Sequence, residues 1–301
     1  MTRELSFEVW DVFTDSPFGG NQLAVIPDAR GLSAEAMQAI AREFNYSESV
    51  FMLPPEAGGT IRLRIFTPGS EVPFAGHPTL GAAASLANSG YAFGQPVPLE
   101  MVIEEGAGPV ACTASLSGEV WHASFNSLTP FERGAEFTPA EIAACVGLKL
   151  GDLATESHAP CLASKGLPFV IAETASREAL SRAEPKRDAF SALKAANTDA
   201  PGILAIALYA RGKGEAAAMR VFAPLEGIEE DPATGSAAAA LSGLLCDLGG
   251  EPVSLVISQG SEMGRPSQIV AEAARAPDGT SDVTISGPAV HVMTGALFLP
   301  E

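Results

Sequence analysis

Two alanine-rich segments without a single Lys, Arg, Asp or Glu constrain this chain more than any other feature. They occupy 74–87 (FAGHPTLGAAASLA) and 232–245 (PATGSAAAALSGLL), and each follows a turn-forming loop. A helix with no polar face has to be buried on all sides. Its first turn leaves backbone N–H groups unpaired, with positive dipole character, aimed into the preceding loop. Such an end attracts anions. Two of them in one chain predict one anionic small molecule held between two similar halves.

The 301 residues are enough for two domains rather than one, and 47% hydrophobic with 18% charged residues describes a well-packed globular protein. Eighteen Lys and Arg against 36 Asp and Glu leave a net charge of −18, which repels phosphate backbones and anionic lipid surfaces. Nucleic acid and membrane are therefore not expected partners. The first ten residues carry two acidic side chains and run into a strand pattern, unlike a secretory leader, and no apolar run is long enough to span a bilayer. The expected location is cytoplasmic. Cys112, Cys145, Cys161 and Cys246 lie far apart with no metal or redox spacing, so they read as reduced, buried thiols, and no metal site is expected.

Superposing the halves without gaps at a shift of 156 residues places Arg64, Phe66 and Pro68 on Arg220, Phe222 and Pro224. The same shift places Ala82, Ala83 and Ala84 on Ala238, Ala239 and Ala240. In each half an alternating strand, at 62–66 or 219–222, leads through a proline-containing loop into the buried helix. This order reads as an ancient duplication. Further strands are expected at 7–13, 23–26, 50–53, 101–104, 109–114 and 120–125, then at 169–172, 203–209, 253–258, 269–273, 283–286 and 290–298. Many strands with one buried helix per half imply an α+β fold, each domain a curved, barrel-like mixed sheet wrapped around a central helix. Peripheral helices are expected after Ser33, with an apolar stripe of Met37, Ile40, Ala41 and Phe44, and after Thr138, where Thr138-Pro-Ala-Glu141 has a capping-box pattern. The turn-rich stretches 115–118 and 127–134 are both candidate boundaries, and a cut near 128 gives halves 1–128 and 129–287.

Four constellations carry possible chemistry. Gly19-Gly20-Asn21-Gln22 opens a strand and, taken alone, reads as a plain turn. Glu48 leads from the Ser33 helix into an apolar strand, where partial desolvation raises a carboxyl pKa and suits it to proton transfer. His77 stands between Gly76, which lets backbone approach a ligand, and Pro78 at the helix start. Asp231 precedes a loop in which Thr234 and Ser236 can cap the second helix or donate to substrate oxygens, next to Gly235; Glu229 and Glu230 read as an exposed acidic loop. Each feature alone favours a structural reading. Together, acid, base and two anion-binding helix ends form an arrangement for moving a proton on a carboxylate-bearing substrate. The sequence has no phosphate-binding glycine fingerprint, no His-x-x-x-His or Cys-x-x-Cys spacing, and no complete nucleophile elbow around Ser236.

The stretches DVFTDSPFGGN (11–21), AREFNYSES (41–49), RIFTP (64–68), EVPFAGHPTLG (71–81), DPATGSAA (231–238) and QGSEMGRPS (259–267) follow one another along nearly the whole chain. In these the chain resembles the PhzF-like (phenazine biosynthesis protein) family, which has the diaminopimelate epimerase type of fold. The resemblance implies two pseudo-symmetric domains with the active site in the cleft between them, and a last strand, about 288–301, crossing back to the first. It also implies a homodimeric isomerase that uses no cofactor. The family's proton-shuttling glutamate falls on Glu48 and its cleft residues on His77, Asp231 and Ser236, with Gly76 and Gly235 as backbone donors. Gln22 departs from the proline frequent after the Gly-Asn turn. Epimerase relatives use two opposed cysteines, and neither helix-leading loop here holds one. A metabolite-binding protein without turnover and an amino-acid racemase or epimerase are the competing functions.

Overall fold

The computed structural model describes residues 3–127, 129–197, 205–276 and 280–299. It contains β1 (Arg3–Val12), β2 (Asn21–Ile26), α1 (Ala34–Phe44), β3 (Glu48–Leu53), β4 (Ile61–Phe66), β5 (Glu71–Val72) and α2 (Gly76–Ser89), followed by β6 (Glu100–Glu105), β7 (Gly108–Ser117) and β8 (Val120–Asn126). Then come β9 (Glu132–Glu136), α3 (Pro139–Cys145), β10 (Cys161–Ser164), β11 (Pro168–Thr174), α4 (Arg177–Ser181), α5 (Arg187–Ala196), β12 (Ile206–Arg211), β13 (Ala216–Ala223) and β14 (Ile228–Asp231). The chain ends with α6 (Gly235–Gly249), β15 (Val253–Gln259), β16 (Ser267–Arg275) and β17 (Ser281–Leu299). It forms two compact units, 1–128 with 285–301, and 129–284. Position 128, where the sequence places a boundary, and positions 203–204 of an expected strand lie outside the described residues.

In the first unit eight strands close on themselves in the order β1-β2-β3-β4-β6-β7-β8-β17, with β17 returning to β1. The β2/β3 and β4/β6 pairs are parallel, and parallel pairs need crossover connections. Helix α1 makes the first crossover and packs outside the ring through Met37, Ile40 and Ala41 against Ile26, Phe51 and Phe66. Its N-cap is Ser33, whose side chain accepts from the Ala36 N–H, as expected. Helix α2 makes the second crossover and runs inside, touching six of the eight strands; every residue from Gly76 to Leu86 is buried. The interior is narrow: a Cβ on Gly81 would stand 2.5 Å from Leu23 Cδ2. Small residues are what allow the backbone to thread there.

The second unit repeats this plan in a curved sheet of order β9-β10-β11-β12-β13-β15-β16-β17. Again two pairs are parallel, β11/β12 and β13/β15. Helices α4 and α5 lie in the first crossover and α6 in the second. Leu180, Phe190 and Leu193 pack with Ile142, Ile206 and Phe222 in an outer core, while Gly235–Leu244 of α6 is buried. Gly243 plays the part of Gly81, since a Cβ there would lie 2.7 Å from the Phe131 ring. Thr138 and Glu141 form the expected capping box.

Several expectations need correction. The strands expected at 283–286 and 290–298 are one strand, β17. The gapless repeat holds through the strands but slips in the helices, because Gly76 and Gly235 are 159 residues apart rather than 156; the second loop is three residues longer. Glu230 is not in an exposed loop. It sits in β14, where Arg220 Nε and Nη2 donate to its carboxylate at 2.8 and 2.7 Å.

The repeat is visible in that pair. Arg64 and Glu71 occupy the equivalent strands of the first unit and form the same two-pronged bridge, both bonds 2.7 Å. Arg220 and Glu230 are 8% and 14% exposed against 19% and 42% for Arg64 and Glu71, and Arg220 also donates to the carbonyls of Leu180, Ser181 and Ala183. Removing one partner of a buried pair orphans a charge at a cost of about 3–5 kcal/mol, whereas a partly exposed pair contributes about 0–1 kcal/mol. We expect Glu230→Ala to lose several-fold more stability than Glu71→Ala. Urea titration of the two variants checks this, and equal losses would refute it.

Candidate active site

Local chain geometry brings three turns of the first unit together. Asn45 ends α1 in the left-handed conformation, at φ 54°, which a short polar side chain tolerates. The chain then turns through Tyr46 and Ser47 into Glu48, the first residue of β3. Strand β2 lies parallel to β3 with Leu23 opposite Glu48, so the starts of the two strands are neighbours. Ser47 Oγ lies 3.5 Å from Oδ1 of the buried Asn21. The third turn is Ala75-Gly76-His77 at the head of α2.

His77 is 4% exposed and Glu48 17%, and His77 Nδ1 stands 3.4 Å from Glu48 Oε2. On the other edge of the ring, His77 Nε2 is 3.4 Å from the Gln22 carbonyl oxygen. Burial pushes the imidazole pKa down to about 3, the Gln22 carbonyl opposing only weakly, so the ring is neutral at physiological pH. A neutral imidazole carries one hydrogen and faces two oxygen acceptors. When Nε2–H is directed at Gln22, Nδ1 presents a lone pair to Glu48.

The end of α2 has a second property. Ala75 supplies no side-chain cap, so the N–H groups of Gly76 and His77 have no acceptor within the helix. Its first turn also holds no acidic residue. The α6 start is the same in both respects. By contrast α1, α3, α4 and α5 each carry an acidic residue in the first turn: Glu35, Glu141, Glu178 and Asp188. Acidic side chains stabilise helix starts by compensating the dipole. In a chain with twice as many acidic as basic residues, only the two central helices leave that compensation to something else, among the described helices.

In the second unit Asp231 ends β14 and Thr234 is the N-cap position of α6. The Thr234 hydroxyl does not cap the helix, contrary to the sequence reading; it donates to Asp231 Oδ2 at 2.5 Å. The competing acceptor is a carboxylate, which binds a hydroxyl donor more strongly. Gln259 holds the loop: its Nε2 donates to the Asp231 carbonyl and its Oε1 accepts from the Thr234 N–H. Ser236 is buried at the second position of α6. Gln259 and Gln22 act here without having been singled out as site residues. The signal for Gln259 is its place before Gly260, a glycine at φ 74° whose Cβ would strike two backbone oxygens.

A family model described as phenazine biosynthesis-like protein matches residues 10–295. The chain belongs to this family. Among family relatives, an uncharacterized isomerase of Mesorhizobium japonicum is 39% identical, covering 98% of this chain and 99% of its own. The trans-2,3-dihydro-3-hydroxyanthranilate isomerase of Pseudomonas aeruginosa is 35% identical, covering 97% and 99%. A solved structure of a predicted epimerase from Pseudomonas aeruginosa is 32% identical with a TM-score of 0.78, covering 97% and 99%. A PhzF-family protein from Bacillus anthracis, 24% identical, superposes with a TM-score of 0.85 over 98% and 99% and so shares the fold.

For this family member, the state of His77 is directly measurable. Its pKa is depressed from 6.5, so the unfolded chain takes up the proton first. The stability that the neutral ring contributes is whole above about 6.5 and is lost as pH falls toward about 3. His77 ring resonances should show no titration step between pH 5 and 7 in NMR, and His77→Asn should flatten the acid limb of the stability profile. A titration step in that window would mean that Glu48, not burial, governs the ring.

Proposed function

We propose that this chain, an isomerase of the phenazine biosynthesis-like family, shifts a proton between two carbons of a small carboxylate-bearing metabolite, with Glu48 taking the proton and giving it back. One observation carries the reading: Glu48 Oε2 lies 3.4 Å from a buried, neutral His77 at the start of a helix with no acid in its first turn. The substrate carboxylate docks on the N–H groups after Ala75, where the dipole favours negative charge. Glu48 removes a carbon-bound proton, and its own O–H then delivers that proton to the second carbon. No net proton is gained or lost, so the cycle returns Glu48 to its starting state and needs no cofactor. His77 Nδ1 steadies the protonated intermediate state of Glu48, and Asn21 supports the turn that presents it.

The second unit carries, within itself, the same kind of uncapped helix start after Thr234 and Gly235, with Ser236 in its first turn and Asp231 as a candidate acid/base group beside it. Two-thiol racemisation finds less support, because all four cysteines are buried and burial raises the thiols of Cys112 and Cys145, the latter to about 11. The named activity of the Pseudomonas aeruginosa relative makes trans-2,3-dihydro-3-hydroxyanthranilate the first substrate to assay.

Proton NMR in deuterated water tests the mechanism. The wild-type protein should exchange a carbon-bound substrate proton, and Glu48→Gln should slow that exchange by about 10²–10⁴-fold, the usual contribution of a positioned acid/base group, while ligand-induced thermal stabilisation persists. Retained exchange in the variant removes Glu48 from the mechanism. Stabilisation without exchange in the wild type marks a binding protein.

A further inference from the structure

Behind the head of α2 lies a carboxyl group that the proposed cycle does not use. Glu105, the last residue of β6, places Oε1 at 2.7 Å from the Thr79 hydroxyl, and that hydroxyl is also 2.7 Å from the carbonyl oxygen of Ala75. Its other oxygen, Oε2, is buried with no hydrogen-bond partner. Thr79 has one hydroxyl hydrogen and two acceptors before it. An ionised Glu105 would compete with Ala75 for that hydrogen and leave a buried charge on an oxygen with nothing to bind. A neutral Glu105 resolves both conflicts, because its O–H donates to Thr79 Oγ and the Thr79 O–H donates to Ala75 O.

The surroundings agree. On β7 its neighbour is the Cys112 thiol, an uncharged group whose pKa burial raises further. Arg62 and Arg64 on β4 are engaged by Glu56 and by Glu71 of β5. Glu104 is the preceding residue on β6, where successive side chains alternate faces; it takes the N–H groups of Glu56, Ala57 and Gly59. On α2, His77 is neutral. Among the described residues no cation is left to hold Glu105 ionised, and burial pushes its pKa up to about 8.

We propose that Glu105 is a positioning residue: as a neutral acid it donates through Thr79 to the carbonyl of Ala75 and so fixes the helix start that presents Gly76 and His77. Its importance for turnover rests on the function proposed above; the hydrogen-bond chain itself does not. The raised pKa means that the stability it contributes is full below the ordinary carboxylate range and drains as pH rises toward about 8.

The test is a pH titration of the wild-type protein by NMR, following the Glu105 side-chain carboxyl carbon and the backbone amides of Gly76 and His77. All three should move with one shared midpoint near 8. Glu105→Gln keeps an uncharged donor, so its amides should stay still over the same range. Amides that do not follow the carboxyl, or a carboxyl that titrates in the ordinary range, overturn the proposal. Turnover adds a separate readout: wild-type kcat should fall on the order of ten- to a hundredfold above the midpoint, the scale of small misplacements in an active site, and Glu105→Gln should abolish that fall. If the amides titrate together while kcat does not respond, the positioning chain stands and the assignment of α2 as the catalytic helix fails.

Discussion

Enclosing an uncharged helix within a ring of strands is the constraint from which the rest of this structure follows. Strands satisfy one another laterally and the helix satisfies itself along its axis, but the helix cannot satisfy its own first turn. The interior is so tight that Gly81 and Gly243 sit where any larger residue would meet Leu23 or Phe131. Neither helix head is capped by a side chain, Ala75 having none to offer and Thr234 donating to Asp231 instead, so the first-turn N–H groups find no acceptor within their own helices.

Electrostatics sharpen this. A net charge of −18 would ordinarily place carboxylates at every helix start, and the four outer helices follow that habit. The two inner ones do not. Around the α2 head, burial disfavours the charged forms of both His77 and Glu105. Glu48, beside His77, is only partly withdrawn from solvent.

Much of this was legible in the residues. The charge-free segments announced the inner helices because composition alone forbids such a helix a wet face, and Ser33 and Thr138 marked helix starts through local hydrogen-bonding chemistry. What escaped depended on long-range pairing. Helix α5 buries only Phe190 and Leu193, too faint a stripe to stand out, yet the parallel pairing of β11 with β12 demands a crossover there, as α1 supplies between β2 and β3. Glu230 looked solvated because its partner, Arg220, is ten positions upstream on a neighbouring strand. Thr234 looked like a cap because the motif cannot tell whether a hydroxyl will prefer a backbone N–H or a nearby carboxylate. Glu105 gave no local sign at all, since its condition is set by what fails to reach it.

One feature of the connectivity bears on how the protein is made. The first strand pairs with the last along nearly its whole length, from Arg3 opposite Leu299 to Val12 opposite Ala289. As the nascent chain leaves the ribosome, the amino-terminal barrel therefore lacks one of its eight staves until the final stretch emerges, with β1 and β8 exposing open edges that invite mispairing. Residues 129–284 need no such wait. The unit that begins the chain is thus closed by pairing between strands almost 300 positions apart, whereas residues 129–284 make a unit from one continuous stretch.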